Sequence, residues 1–291
     1  YGNGKTVYNN NSSRFGKFIS INFSNGGFIE GGKVIDYLLE KNRVVRQNEG
    51  ERSFHIFYNV TSESQDAKYK LGDASNFGYL KQSGVISDKS IDDAGDWSRV
   101  KDGYEAMGFS AEQQENMMSC IAAILHLGNV SFVQAGGAQI EDPSTIKTIA
   151  ELLSIDAGNL TTSLTNLVRT VRGEVMESPL DIPQAKDVRD SLSMGIYRRL
   201  FAFIIAKCNT SLKGAETFHS IGVLDIFGFE NFKVNFLEQF NINYANEKLQ
   251  QYFNRHIFSL EQLEYEREGI PWNEIEFVDN GACLDLIERK L

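Results

Sequence analysis

The chain has 291 residues, of which 42% are hydrophobic, and its formal net charge is −10. This length and hydrophobic content allow one large domain, or two closely joined ones, with a substantial core. The acidic balance argues against nucleic acid as a partner, because phosphate binding needs a basic face. No apolar run approaches the length of a membrane-spanning helix, so we expect no membrane insertion.

The chain begins with two polar segments, GNGKT (2–6) and YNNNSSRFGKF (8–18). GNGKT ends like a Walker A loop, but no strand precedes it in the sequence, and we interpret it as a turn. Asn and Ser compete with the backbone for hydrogen bonds, so the second segment is predicted to be a loop. It is either an ordinary connection or a site for an anion and a hard cation, in which Arg14 pairs with a carboxylate.

The next segments alternate between polar and apolar residues. Residues 18–24 are predicted to form a strand, with glycine turns at 26–27 and 31–32. KVIDYLLEKNRVV (33–45) has the periodicity of an amphipathic helix, and we predict a helix there.

Most of the chain between about 54 and 215 is predicted to be helical. Two clear helices are AEQQENMMSCIAAILHLG, which Gly128 ends, and AKDVRDSLSMGIYRRLFAFIIAKCNTSL (185–212). The acidic segment SDKSIDDAGDW (87–97) is interpreted as a solvated surface loop. RTVRGEVMESPLDIP (169–183) alternates around a central glycine, which indicates a hairpin.

SIGVLDIFGFE (220–230) combines an apolar strand with Asp225 at its end and Gly228 three residues later. This is the form of a Walker B strand with a D-x-x-G switch, in which the Asp helps to hold Mg²⁺ and the Gly amide faces the terminal phosphate. The alternative is a buried strand that simply ends in Asp and Gly. The polar opening segment and this strand supply complementary parts of one phosphate and magnesium site.

The segment from Glu230 to Glu268 contains neither Gly nor Pro and carries a stripe of apolar residues. Much of it is predicted to form one helix approaching ~50 Å, at 1.5 Å per residue. Such a helix is longer than a compact core requires.

The motifs resemble one family closely. NNNSSRFGKF resembles switch I of the myosins, LDIFGFE their switch II, and FNINYANEKLQQYFNRHIF the start of their relay helix. The kinesins share N-x-x-S-S-R but continue differently after the Arg. EKNRVVRQNEGERSFHIFY, ILHLGN and RDSLSM extend the resemblance over essentially the whole chain. HIFSLEQLEYEREGIPWNEIEFVDNGACLDLIE is similar to the unconventional myosins with MyTH4-FERM tails, class X most of all.

The resemblance implies an α/β fold, namely a P-loop NTPase-type myosin motor head fragment that is mostly helical with a few strands of the central mixed sheet. Residues 1–215 would hold switch I, sheet strands and an upper 50 kDa-type helical subdomain with an actin-contacting hairpin. Residues 216–291 would hold the switch II strand, the relay helix and the start of a lower 50 kDa-type subdomain. The family's phosphate-binding loop is not in this sequence, so we expect a piece of a longer motor that does not hydrolyse ATP alone.

The resemblance also implies roles around ATP and Mg²⁺. Asn9 would contact the nucleotide phosphates, and Ser12 would lie beside the γ-phosphate and the attacking water. Ser13 would be a Mg²⁺ ligand, Asp225 its supporting partner, and Gly228 would donate its amide to the γ-phosphate.

A salt bridge between Arg14 and Glu230 would close the site behind the phosphate. The resemblance thus implies five candidate catalytic residues: Ser12, Ser13, Arg14, Gly228 and Glu230. Glu230 leads directly into the long helix, so a small movement of the switch would tilt a stiff rod.

Partners follow from the same resemblance. Glu174 lies sixteen positions before Asp190-Ser191-Leu192, where the myosins place an acidic or phosphorylatable residue in a loop that contacts F-actin. Light chains or calmodulin would bind through segments downstream. The expected location is the cytoplasm, on the actin cytoskeleton.

Three hypotheses for the function remain. The first is part of an actin-based motor that couples Mg-ATP hydrolysis to force generation. The second is a degenerate motor that binds actin or acts as a scaffold without turnover, against which the intact switch residues argue. The third is a GTPase-like switch, against which the absence of an N-K-x-D motif argues.

Overall fold

The computed structural model describes residues 1–63, 67–171, 174–214, 219–271 and 279–289. The chain divides into two compact units, Tyr1–Asp225 and Ile226–Leu291. The strands of the first unit are β1 (Asn3–Gly4), β2 (Ser12–Ser13), β3 (Gly16–Phe23), β4 (Ile29–Tyr37), β5 (Phe132–Gln134), β6 (Ala138–Ile140), β7 (Asn166–Val171), β8 (Glu174–Pro179) and β9 (His219–Asp225). Its helices are α1 (His55–Glu63), α2 (Gly78–Lys81), α3 (Asp93–Ala106), α4 (Ala111–Leu127), α5 (Pro143–Leu153), α6 (Ala157–Thr165) and α7 (Ile182–Ser211), with 3₁₀ turns at Lys41–Val44 and Ala74–Asn76.

The three-stranded sheet of the first unit has the strand order β4-β3-β9, and both pairings are antiparallel. Phe18 of β3 lies opposite Ile35 of β4 and Leu224 of β9, so three apolar side chains share one face. The strand predicted over 18–24 is confirmed, and so is the strand that ends at Asp225. Because β9 pairs with β3, it belongs to the first compact unit. The assignment of residues 1–215 and 216–291 to two subdomains of a motor head stays a prediction.

The helix predicted over 33–45 is wrong. Its first five residues continue β4, and the chain then makes the 3₁₀ turn Lys41–Val44. The second glycine turn is also wrong, because Gly31 and Gly32 lie within β4. A Cβ on Gly32 would lie 2.9 Å from the carbonyl oxygen of Ser20, so glycine permits the close approach of the two strands.

The core of the first unit is built around α4, which packs against α5 and α7. A capping box begins this helix: Gln113 N donates to Ser110 Oγ at 3.2 Å, and Ser110 N donates to Gln113 Oε1 at 3.0 Å. Ile121 and Ile124 are completely buried. The predicted helix and its end at Gly128 are confirmed.

The long helix α7 confirms the helix predicted over 185–212. Asp181 caps its first turn by accepting from Gln184 N at 2.8 Å. Further along the helix, Tyr197 is buried and stacks on Phe54 with ring centroids 4.8 Å apart. This contact joins α7 to the segment that precedes α1.

The acidic segment 87–97 is only partly a loop. Asp92 caps α3 by accepting from Gly95 N at 3.0 Å, and Trp97 is buried in the core. The prediction of a solvated loop is therefore wrong for its last residues, because an N-terminal cap and an inward-facing indole make them part of a helix.

The predicted hairpin is confirmed by β7 and β8, which pair with Val171 opposite Glu174 and Asn166 opposite Pro179. Gly173, at the centre of the predicted turn, lies outside the described residues.

The second unit contains α8 (Leu237–Asn254), a π-helical segment (Arg255–Leu260), α9 (Glu261–Arg267) and α10 (Gly281–Glu288). The first three follow one another without a break, so the predicted long helix is confirmed, with a length of about 46 Å at 1.5 Å per residue. The π-helical segment within it was not predicted. Over the described ranges, no helix is both long enough and apolar enough to cross a membrane.

Candidate functional site

A small hairpin organises the polar start of the chain. β1 pairs with β2, so that Asn3 lies opposite Ser13 and Gly4 opposite Ser12. The predicted turn at GNGKT is therefore wrong, since Asn3 and Gly4 form one arm of this hairpin. The loop predicted over residues 8–18 is confirmed over Asn9 to Asn11. It is wrong at Ser12–Ser13, which form β2, and at residues 16–18, which begin β3.

Asn9 stabilises the tip of this hairpin. Its carbonyl oxygen accepts from Thr6 N at 2.9 Å, and its Oδ1 accepts from Asn11 N at 2.9 Å. These local bonds explain the density of Asn residues in the loop. Asn9 is exposed, so the loop presents it to solvent.

Ser12 and Ser13 are half-buried neighbours in β2. Adjacent residues of a strand point to opposite faces, so the two hydroxyls serve different sides of the hairpin. Ser12 Oγ accepts from Arg14 Nη1 at 3.3 Å. The Ser13 hydroxyl makes no hydrogen bond within the described part of the first unit, which leaves its oxygen able to bind a ligand.

Arg14 is almost completely buried, with 1% of its surface exposed. Its Nε donates to Glu40 Oε2 at 2.8 Å and its Nη2 donates to Glu40 Oε1 at 3.1 Å. This two-bond pairing fixes the plane of the guanidinium group. Arg14 is thus a buried cation in a defined orientation, next to the two serines.

A second arginine completes this network. Arg43 Nε donates to Glu40 Oε2 at 2.6 Å, and Arg43 Nη2 donates to Glu51 Oε2 at 3.0 Å. Burial by itself raises the pKa of Glu40, but Arg43 and Arg14 outweigh it and lower that pKa to about 2. Burial raises the pKa of Glu51 in spite of Arg43. We call Arg14, Glu40, Arg43 and Glu51 the buried ion network.

Asp225 lies at the end of β9, opposite Lys17 of β3. Lys17 Nζ lies 3.0 Å from Asp225 Oδ2, and both side chains remain partly exposed. The carboxylate therefore has one weakly held, solvated partner within its own unit. Among the described residues, no three His, Cys, Asp or Glu side chains form a metal-binding cluster, so a cation here would depend on hydroxyl and carboxylate oxygens together.

Gly228 and Glu230 belong to the second unit. The φ angle of Gly228 is not in the left-handed region, and a Cβ there would meet no atom of its own unit within 4 Å. Neither backbone conformation nor packing within that unit thus requires glycine. Glu230 is tied to α8 by Asn243, which accepts from Glu230 N at 2.8 Å and donates to Glu230 O at 2.7 Å.

The sequence family described as "Myosin head (motor domain)" matches residues 1–291. The chain belongs to the myosin motor domain family. The fold class predicted from the sequence, a helix-rich myosin head fragment, is confirmed.

Similar proteins come from several organisms, and each aligns with all of this chain. "Myosin-I heavy chain" of Dictyostelium discoideum is 45% identical over 300 residues, which make up 13% of that protein. "Myosin-11" of Arabidopsis thaliana is 46% identical over 299 residues, or 20% of its length. "Unconventional myosin-Vc" of Homo sapiens is 43% identical over 297 residues, or 17% of its length. The chain thus spans about a fifth or less of these relatives.

The candidate site residues are divided between the two compact units. The structure places Asn9, Ser12, Ser13, Arg14 and Asp225 in the first unit, and Gly228 and Glu230 in the second. Their assignment to nucleotide, metal and catalysis stays a prediction. Glu174 begins β8 opposite Val171, and its role at actin is likewise a prediction.

Sequence reasoning missed the partners of two of these residues. Glu40 and Arg43 lie in the segment 33–45, whose periodicity predicts a helix, and the sequence indicates Asn243 only as part of the long helix. A signal is present, because EKNRVVRQNEGER combines three acidic and four basic residues around Val44 and Val45. Which of those charges are buried depends on contacts that a linear pattern does not contain.

Proposed function

We propose that this chain is part of an actin-based motor that couples the hydrolysis of Mg-ATP to force generation along actin filaments. The observation that supports it best is Arg14, a buried and oriented guanidinium that donates to Ser12 Oγ at 3.3 Å. Phosphoryl transfer depends on positioning and on stabilising charge, and such an arginine supplies both.

The donors present fit ATP and Mg²⁺. Ser13 offers a hydroxyl oxygen without a partner in its described unit, and Asp225 offers a carboxylate whose lysine partner is solvated. Oxygen ligands of this kind suit Mg²⁺. When bound, Mg²⁺ would neutralise phosphate charge; Asn9 and the amide of Gly228 would bind phosphate oxygens, and Ser12 would position the attacking water.

Closure of the site is proposed to add Glu230 to the partners of Arg14. Arg14 is held by Glu40 in its own unit, and its pairing with Glu230 stays a prediction. Because Asn243 clamps the backbone of Glu230, a movement of this residue would pull directly on α8. The continuous helical run to Arg267 would then carry a small displacement over about 46 Å.

F-actin is the proposed track, reached in part through the β7–β8 hairpin and Glu174. Light chains or calmodulin are proposed to bind segments outside this sequence, and the motor is proposed to work in the cytoplasm on the actin cytoskeleton. We assign it to the unconventional myosins of the MyTH4-FERM type, class X-like, on the resemblance of residues 256–288. The charge of −10 opposes docking to acidic actin, so basic segments elsewhere in the motor are expected to compensate.

Charge exchange tests the proposed closure in the complete motor head. A carboxylate at position 14 would also face Glu40, which holds Arg14, so every variant carries Glu40→Gln. In that background, Arg14→Glu alone and Glu230→Arg alone should each reduce single-turnover hydrolysis further, because each leaves like charges in the proposed pair. The double exchange should recover part of the rate. A double variant no faster than the singles would contradict pairing as the main role of these residues.

The isolated chain gives a second test of the ATP site. Without the family's phosphate-binding loop, residues 1–291 should show no micromolar binding of MgATP by isothermal titration calorimetry and negligible turnover. Tight, Mg²⁺-dependent binding would contradict this and would bring GNGKT back as a phosphate loop.

Actin binding is tested at Glu174. Glu174→Ala in the complete motor should lower the actin-activated ATPase and leave the basal ATPase nearly unchanged, and Glu174→Ser should behave like Ala until it is phosphorylated. Equal loss of both rates would assign the residue to folding or to the nucleotide site.

A further inference from the structure

Three nitrogens of Arg14 have defined acceptors. Nε and Nη2 donate to the two carboxylate oxygens of Glu40, and Nη1 donates to Ser12 Oγ. The side chains of Arg14 and Glu40 retain only 2% and 7% of their exposure. Because the two bonds to one carboxylate are parallel, the Glu40 side chain determines which way the Nη1 edge points.

Glu40 is itself fixed from two directions. Arg43 Nε donates to the same Glu40 Oε2 at 2.6 Å, which restricts rotation of the carboxylate. The backbone adds a second restraint, since Glu40 N donates to Arg14 O at 2.9 Å. Arg43 is anchored in turn by Arg52 O at 2.9 Å and by Glu51 Oε2 at 3.0 Å. The orientation of Arg14 is thus set directly by Glu40, whereas Glu51 bonds Arg43 rather than Arg14.

We propose that Glu40 is a positioning residue for hydrolysis, which acts by holding the Arg14 guanidinium at the angle that serves Ser12 and the phosphate. This inference rests on the proposed function of Arg14. A charge held in place before the reaction costs no reorganisation in the transition state. Loss of the Glu40 carboxylate would remove the two parallel bonds that fix the guanidinium plane, and a misplacement of about 1 Å can cost roughly a hundredfold in rate.

The test uses the complete motor head without actin and separates two steps. Glu40→Gln keeps the shape of the side chain and removes its charge. We expect the single-turnover hydrolysis step to slow by about ten- to a hundredfold, while the rate of binding of a fluorescent ATP analogue changes less than about threefold. Equal losses in both steps would indicate a general structural defect and would overturn the proposal.

A double-mutant cycle decides whether Glu40 acts through Arg14. Arg14→Ala should slow hydrolysis, and Glu40→Gln should add little further loss in that background. Additive losses would overturn the proposal. If Arg14→Ala left hydrolysis unchanged, the proposed function of Arg14 would fail instead, so the two failures are distinguishable.

Glu51→Gln is the matched control, because Glu51 belongs to the same network but bonds Arg43. It should lower stability without a comparable loss in the hydrolysis step. Should Glu40→Gln fail to fold, Glu40→Asp keeps the charge and withdraws it by one methylene. It should also slow hydrolysis selectively, and an unchanged hydrolysis step in that variant would overturn the proposal.

Discussion

Arg14 and Lys17 are cations three residues apart, and their ion pairs differ in burial. The Arg14–Glu40 pair retains 2% and 7% of its side-chain exposure, whereas the Lys17–Asp225 pair retains 28% and 53%. The first pair is two-pronged and shares its carboxylate with Arg43. The second is a single contact of 3.0 Å at the surface of the sheet.

The difference in burial indicates which charged side chain of the candidate site is held in place and which can exchange its partner. A buried ion pair cannot lose one member without leaving an uncompensated charge in a low dielectric. An exposed pair is screened by water and releases its partner at little cost. Arg14 is accordingly suited to keep one orientation, and the Asp225 carboxylate is suited to exchange Lys17 for a ligand.

The largest effect is expected from breaking the buried pair. Glu40→Gln should lower the free energy of unfolding by about 3–5 kcal/mol, because Arg14 and Arg43 both lose their shared carboxylate. The measurement is urea unfolding of residues 1–291 at neutral pH, followed by tryptophan fluorescence in a Trp272→Phe background. Trp97, which is buried in the first unit, is then the remaining tryptophan of this chain. A loss of unfolding free energy below about 1 kcal/mol would mean that this pair stabilises the fold no more than an exposed ion pair does.

A pair of intermediate exposure should give an intermediate loss. Arg52 is fully buried, donates to Asp93 Oδ1 at 2.8 Å and lies 3.7 Å from the centre of the Tyr58 ring. Asp93→Asn should cost about 1.5–3 kcal/mol in the same unfolding assay, which is typical of a hydrogen bond to a charged group. Asp96→Asn is a control, since its partner Arg99 is exposed.

Acid should act on the buried region through His55. Burial first, and then the charge of Arg52, lower the pKa of His55 from 6.5 to about 4. Below pH 6.5 the unfolded chain protonates His55, whereas the folded chain does so only near pH 4. The free energy of unfolding therefore falls as the pH drops from 6.5 to about 4. His55→Gln should remove on the order of 2 kcal/mol of that loss.

Glu40 titrates in a different window. Its folded pKa of about 2 lies below the ordinary value of 4.5, so its contribution is present above pH 4.5 and disappears as the pH falls toward 2. A loss in Glu40→Gln that already faded between pH 6.5 and 4.5 would contradict a permanently charged Glu40.

The smallest effect is expected at the exposed pair. Lys17→Met should change the free energy of unfolding by about 0–1 kcal/mol, because the ion pair is solvated and Met replaces the aliphatic stem. The loss should shrink further in 1 M salt. A loss comparable to that of Glu40→Gln would remove the contrast between the two pairs.

The sequence by itself determined the elements whose periodicity is long and whose ends are marked. The helix α4 has both a capping box and a following glycine, and the run from Leu237 to Arg267 contains neither Gly nor Pro. The hairpin β7–β8 follows from alternation on either side of a central glycine, and the strand before Asp225 follows from its apolar run. The family also followed from local motifs, because each switch is a short contiguous segment.

Only the tertiary structure decided the state of residues 33–45 and the partners of Arg14. Lys33 to Tyr37 fit a strand or a helix face equally well, and pairing with β3 selected the strand. Glu40 lies 26 positions from Arg14, and the choice between it and any other carboxylate depends on where the chain folds back. Burial also decides whether a charge pair stabilises the fold strongly or hardly at all, and burial is a property of the packed chain rather than of its local sequence.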